Sequence, residues 1–275
     1  MPAPAGVSNL TLRIASALVL APIAIGAAYV GGWPFALFWG VAAIAVLWEW
    51  TTLSAGPGHR MMFSAGAGAL VVATLVAWQH HPIVALLFIG LGALAAAIFA
   101  PREHRTWVIA GVGYAGVLLL APLLLRDDEV YGLLAIGLLF AIVWTTDIVA
   151  YFVGRAVGGP KLCPAISPKK TWSGAIGGTL GAMAIALAVT HYVGLFNGIA
   201  VAAVALVLSV LSQGGDLLES WVKRRFGAKD ASQLIPGHGG VMDRLDGFWA
   251  AALAACLLGV LRGGFDGAAR GLLVW

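Results

Sequence analysis

The chain of 275 residues is 61% hydrophobic and only 10% charged, against about 25% charged residues in an ordinary water-soluble domain. So large an apolar fraction cannot be hidden inside a soluble fold. The formal net charge of +4 comes from short basic clusters between apolar runs, not from one continuous face, which argues against a nucleic-acid-binding protein.

The first apolar run covers 10–30. Residues 1–9 contain no basic group and no small-residue cleavage pattern follows, so this run reads as a retained first helix and not as a signal peptide. Its one arginine, Arg13, is near enough to the end for a long side chain to reach the interface. Further runs follow at 33–53, 61–79, 82–100, 106–125, 130–154, 174–195, 197–219 and 246–262. Each is long enough to cross a bilayer, and stretches such as 133–146 and 198–215 hold no ionisable side chain. The prediction is an all-α, polytopic integral membrane protein with about nine transmembrane helices.

No linker or internal repeat divides the chain, so one transmembrane domain over 1–275 is expected, with catalytic segments at about 147–173 and 216–246. Gly174, Gly177, Gly178 and Gly181 recur at helical spacing, which suits close helix packing. Cys163 lies in a polar stretch and Cys256 in an apolar one, so neither a disulfide framework nor a zinc site is indicated.

Lysine and arginine concentrate in alternate connections: near Arg60, near Arg102 and Arg105, from Arg155 to Lys170, and from Lys223 to Arg244. The connections near Gly31, His80 and Phe196 have none, and the one near Asp127 has only Arg126. The positive-inside rule then puts the N-terminus and the basic loops in the cytoplasm. Nine spans leave Arg262 and Arg270 on the opposite side, against that rule.

Of the twelve acidic residues, five (Asp216, Glu219, Asp230, Asp243 and Asp246) crowd into one segment near the C-terminus. Carboxylates held so closely need basic groups or metal ions beside them. If the helix carrying Asp216 continues, Asp216, Ser220 and Lys223 fall on one face. Asp243 and Asp246, three apart, share a face of the next helix, and paired carboxylates of this kind suit Mg²⁺.

Between these elements lies Ile235-Pro236-Gly237-His238-Gly239-Gly240, a turn able to present backbone N–H groups to phosphate. Asp147 and Asp216 sit in apolar surroundings, where a carboxylate is costly and marks function. Glu49, between Trp48 and Trp50, reads as headgroup-level.

The run Ser220-Trp221-Val222-Lys223-Arg224, Lys229-Asp230, Ser232, Ile235-Pro236, His238-Gly239-Gly240-Val241 and Asp243-Arg244-Leu245-Asp246 resembles the signature of the phosphatidate cytidylyltransferases, or CDP-diacylglycerol synthases. An upstream block is similar to a second family segment: Asp147, Ala150-Tyr151, Gly154-Arg155, Gly158 and Ser167-Pro168-Lys169-Lys170-Thr171. Ser173 departs from the family, many of whose members have glutamate there.

The resemblance implies transfer of a cytidylyl group from CTP to phosphatidic acid, with Mg²⁺, one ion or two, as cofactor. In that scheme Asp216, Asp243, Asp246 and Asp147 are metal ligands, with Asp230 a further member of the constellation. Lys223, Arg224, Lys229 and Arg244 hold phosphates, and Ser167 and Lys170 close over the nucleotide. Ser220, Gly239 and Gly240 join the substrate-binding set, and His238 donates to a phosphate oxygen or to the leaving pyrophosphate. Membrane lipids surround the chain, a homodimer is compatible with the resemblance, and the family's usual setting is a bacterial inner membrane with the site facing the cytoplasm. A CTP-using lipid kinase would move the terminal phosphoryl group instead. An ion-coupled transporter would also bury Asp147 and Asp216, but the charges here gather at one face.

Overall fold

The computed structural model describes residues 9–55, 59–194 and 197–275. Residues 1–8, the Arg13 side chain and the connection at Phe196, all read from sequence above, lie outside the described residues.

A backbone crossing lipid finds no water to bond, so each apolar run must close its hydrogen bonds within itself, and a helix does so. The elements are α1 (Asn9–Val30), α2 (Gly32–Ala55), α3 (His59–Trp78), α4 (Pro82–Phe99), α5 (Arg105–Arg126), α6 (Gly132–Val157), β1 (Lys161–Cys163), β2 (Ser167–Thr171), α7 (Trp172–Tyr192), α8 (Gly198–Arg225), α9 (Met242–Gly263) and α10 (Ala268–Leu273). The nine predicted runs correspond to α1–α9. Among the described residues, eight helical segments, α2 to α9, are long and apolar enough to cross a membrane, and the apolar part of α1, Ala15–Val30, is shorter. The chain is an integral membrane protein.

Its residues group into two compact units, Met1–Gly116 with Phe226–Leu245, and Val117–Arg225 with Asp246–Trp275. Each unit joins segments far apart in sequence, which is why no linker or change of composition marks either one.

The first unit buries Phe35, Trp39, Leu47 and Leu70. Trp39 meets Phe35 and Phe38 edge-on, at ring separations of 6.1 and 5.2 Å. At the end of α2, Trp50 Nε1 donates to the Trp107 carbonyl at 2.8 Å, and its ring lies where a side chain at Gly111 would have to go. This anchors the turn of helix that carries Glu49.

The second unit is built on α6, α7 and α8. A Cβ at Gly174 or Gly178 would lie 2.7 Å from Ala150 O or 2.6 Å from Thr146 O, and at Gly177 or Gly181 it would meet Val153 or Val149 within 2.9 Å. The glycine stripe of α7 therefore faces α6, as its spacing suggested. A polar chain links the three helices: Thr146 Oγ1 is 2.8 Å from Ser209 Oγ, which is 3.2 Å from Thr179 Oγ1, to which Gln213 Nε2 donates at 3.1 Å. In lipid, such bonds between helices replace a hydrophobic driving force.

Arg262, at odds with the charge rule, is held locally. Its guanidinium donates to the Gly271 carbonyl and to Val274 O at 3.1 Å, and lies 3.6 Å over the Trp275 ring. The end of α10 thus supplies its acceptors.

Candidate active site

In the second unit, the polar segment between α6 and α7 folds as an antiparallel hairpin pairing Lys161 with Thr171 and Cys163 with Ser167. Thr171 ends the hairpin and caps α7, its Oγ1 accepting from Gly174 N at 3.2 Å. Ser173, where the family departure lies, bonds through Oγ to the Gly158 carbonyl and to Thr171 Oγ1.

From β2 the Lys170 ammonium pairs with the Asp216 carboxylate of α8. Ser220, one turn further, donates to Asp216 Oδ1 at 3.3 Å. The Asp246 carboxylate, partly buried on α9, accepts from its neighbour Gly247 N at 2.7 Å and feels the charges of Asp216, Asp147 and Lys170.

Two glycines set this approach. A Cβ at Gly215 would lie 2.5 Å from the Asp246 carbonyl oxygen, and one at Gly247 would lie 2.7 Å from Ser212 Oγ. The helices thus touch backbone to backbone beside Asp216 and Asp246. Sequence reading passed over both glycines, although each directly adjoins a predicted aspartate.

Lys223 departs from expectation. It lies in the same helix as Asp216 but is buried and pairs with Glu219 at 2.6 Å. Four residues apart with the acid first, the two suit each other along a helix, and burial makes a partner obligatory. Lys170 stands beside Asp216 in its place. Arg224 is exposed and Ser167 partly so.

In the first unit, the segment before α9 closes on itself. Ile235 N donates to Gly239 O at 2.8 Å, and His238 N and Gly239 N both donate to Ile235 O, at 3.0 and 3.2 Å. Gly237 and Gly239 have φ of 77° and 89°, which glycine permits. Gly240 N donates to Asp243 Oδ2 at 2.7 Å, and Ala231 N reaches the same oxygen at 2.9 Å.

These bonds involve three residues singled out from the sequence. The Gly239 and Gly240 amides, predicted to cradle phosphate, are engaged within the protein. Asp243, expected to ligate metal, spends Oδ2 on two amides, because an acid in the first turn of a helix is the nearest acceptor for them. His238 is tied to α1, with Ser16 Oγ 2.5 Å from Nδ1. Lys229, Asp230 and Arg244 are exposed.

Glu49, read from the sequence as headgroup-level, is fully buried within the protein, and accepts from Ser232 Oγ at 2.5 Å, Val241 N at 2.8 Å and Met242 N at 2.7 Å. Flanking tryptophans resemble an interfacial belt in sequence, and only the fold shows Trp50 turned inward.

Among the described residues, no group of three or more His, Cys, Asp or Glu side chains could hold a metal by itself. Mg²⁺ commonly takes one or two carboxylates and completes its octahedron with water and substrate phosphate. Asp216 and Asp246, with Asp147 adding charge and one ammonium among the three, fit an ion of that kind arriving with a polyphosphate.

The sequence pattern of the Cytidylyltransferase family matches residues 11–261. The phosphatidate cytidylyltransferase of Brucella abortus (strain 2308) is 46% identical over 257 residues, covering 92% of this chain and 94% of its own length. That of Pseudomonas aeruginosa is 40% identical over 262 residues (87% and 93%), and that of Haemophilus influenzae 36% over 278 (87% and 94%).

Proposed function

The chain belongs to the cytidylyltransferase family, and from that premise we propose that it is a phosphatidate cytidylyltransferase, converting CTP and phosphatidic acid into CDP-diacylglycerol and pyrophosphate. The observation that carries the reading is the grouping in one unit of Lys170, Asp216, Asp246 and Asp147. This is an acidic cluster with one ammonium at the end of membrane helices, suited to a magnesium nucleotide and a lipid phosphate together.

An oxygen of the lipid phosphate attacks the α-phosphorus of CTP. The bond from that phosphorus to the oxygen bridging to the β-phosphate breaks, and pyrophosphate leaves with the electron pair. No covalent enzyme intermediate forms, so the protein's task is positioning and charge stabilisation. Asp216 and Asp246 would hold Mg²⁺, which would supply neutralisation of the triphosphate charge.

Ser220 orients the Asp216 carboxylate. Lys170 exchanges its bond to Asp216 for phosphate oxygens when the nucleotide enters, with Ser167 beside it in the strand. Arg224 adds charge from the end of α8. In the first unit, Lys229, Arg244 and His238 are the proposed phosphate contacts, with Asp230 among them, and Asp243 serves by holding the Ala231 and Gly240 amides. The alternation of basic connections supports a bacterial inner membrane with the charged cluster facing the cytoplasm, and a homodimer belongs to the same proposal.

The test is the product formed by the purified protein from phosphatidic acid, Mg²⁺ and CTP labelled at the α-phosphorus. Label in CDP-diacylglycerol with release of pyrophosphate, lost on chelation and in Asp246→Asn, is the expected result. Label reaching lipid only from γ-labelled CTP would replace the reading by a lipid kinase.

A further inference from the structure

Glu49 is a buried acid that the proposed chemistry leaves unused. A carboxylate sealed from solvent survives only with its oxygens well supplied by donors, and each donor it holds belongs to the stretch leading into α9. Ser232 Oγ, Val241 N and Met242 N converge on it. The two amides stand at the start of α9, where backbone N–H groups have no acceptor inside the helix. The cap of α9 therefore comes from α2, 193 residues away from Met242.

The fit is close. A Cβ at Gly240 would lie 2.5 Å from Glu49 Oε1 and 2.8 Å from Oε2. Glycine at 240 is thus required by the acid behind it. Asp243 Oδ2 fastens the Ala231 and Gly240 amides, so the backbone from Ala231 to Met242 is pinned by two carboxylates. The turn bearing His238 is the length of chain between those pins.

We infer that Glu49 is a positioning residue: through Ser232, Val241 and Met242 it fixes the start of α9 and the turn of His238, and it contacts neither substrate. Only the kinetic arm of its test rests on the proposed cytidylyl transfer. Glutamine is the informative replacement, because its single carbonyl oxygen cannot accept all three bonds and its NH₂ group confronts a backbone N–H with another donor. Ser232→Ala removes one of the three bonds to Glu49 from the far side, along with the acceptor of Leu234 N, and leaves the helices intact.

The experiment is backbone hydrogen exchange on the full chain in micelles, with turnover measured on the same samples. In Glu49→Gln the amides at Val241 and Met242 should exchange at least about tenfold faster while those of α7 keep the wild-type rate. Ser232→Ala should shift the same amides less. Turnover kcat should fall by about tenfold or more with KM for CTP within about twofold, the pattern of a lost transition-state arrangement.

Unchanged exchange at Val241 and Met242 in both variants overturns the inference. So does faster exchange throughout the molecule, which marks a general structural role, or a raised KM with exchange unaltered, which marks direct substrate contact. If Glu49→Gln does not fold, Ser232→Ala decides by the same criteria. Absence of CDP-diacylglycerol from the wild-type protein would sink the proposed function and leave the exchange result standing.

Discussion

Gly215→Ala tests whether the contact of α8 with α9 is what gathers the acidic cluster of the second unit. The added methyl would sit 2.5 Å from the Asp246 carbonyl oxygen and 2.7 Å from Ala250 Cβ. Neither atom can rotate away, so the helices must part locally by about 1 Å to restore ordinary contact. Overpacking of this kind costs about 1–3 kcal/mol, of which roughly 1 kcal/mol is returned by alanine's better helix propensity. The net loss of stability is therefore small.

Activity should suffer far more, because displacing reacting groups by about 1 Å can cost on the order of a hundredfold in rate. Gly214 is the internal control: it is the adjacent residue of the same helix, and a Cβ there meets nothing within 4 Å. Turnover with α-labelled CTP and thermal unfolding in detergent would be measured for both alanine variants. Gly214→Ala should keep wild-type turnover. Equal behaviour of the two, or full turnover in Gly215→Ala, would refute the argument.

Lys170→Met should leave the unfolding midpoint almost unchanged, because its ion pair with Asp216 involves side chains 28% and 30% exposed and such pairs contribute only about 0–1 kcal/mol. Its turnover should nevertheless fall by at least about tenfold, and a drop in both together would point to a structural lysine. For the buried Glu219–Lys223 pair the order reverses. Lys223→Met alone should destabilise by about 3–5 kcal/mol, and the Glu219→Gln/Lys223→Met double variant by clearly less, since a lone buried charge costs more than an absent pair. Additive unfolding data would show the two side chains to be independent.

The carboxylates illustrate how far the sequence could be read. Asp147 and Asp216 stood out because charge is expensive among apolar residues, and Asp246 because acids crowd near the C-terminus; in the structure Asp246 feels the charges of the other two. Lys223 shared a helix with Asp216 in any reading, yet the choice between Asp216 and Glu219 as its partner depends on which face of α8 is buried. The hairpin that brings Lys170 to Asp216 was legible only as a polar loop, since five residues of Ser-Pro-Lys-Lys-Thr carry no alternation of apolar side chains. Glu49 was visible as an acid between tryptophans, and its partners lie about two hundred positions onward, beyond any local pattern.

Composition and the spacing of apolar runs determined by themselves that this chain crosses a membrane many times as helices, because lipid leaves the backbone no other partner than itself. The signature from Ser220 to Asp246 determined the family. What the tertiary structure alone decided was the partnership of the charges: Lys170 with Asp216, Lys223 with Glu219, and Glu49 and Asp243 with the amides before α9. Helix formation follows from local periodicity, whereas the approach of α9 to α8 beside Asp216 and Asp246, and of Glu49 to the amides before α9, follows from which backbones can come close, and a side chain at Gly215, Gly247 or Gly240 would fill those contacts.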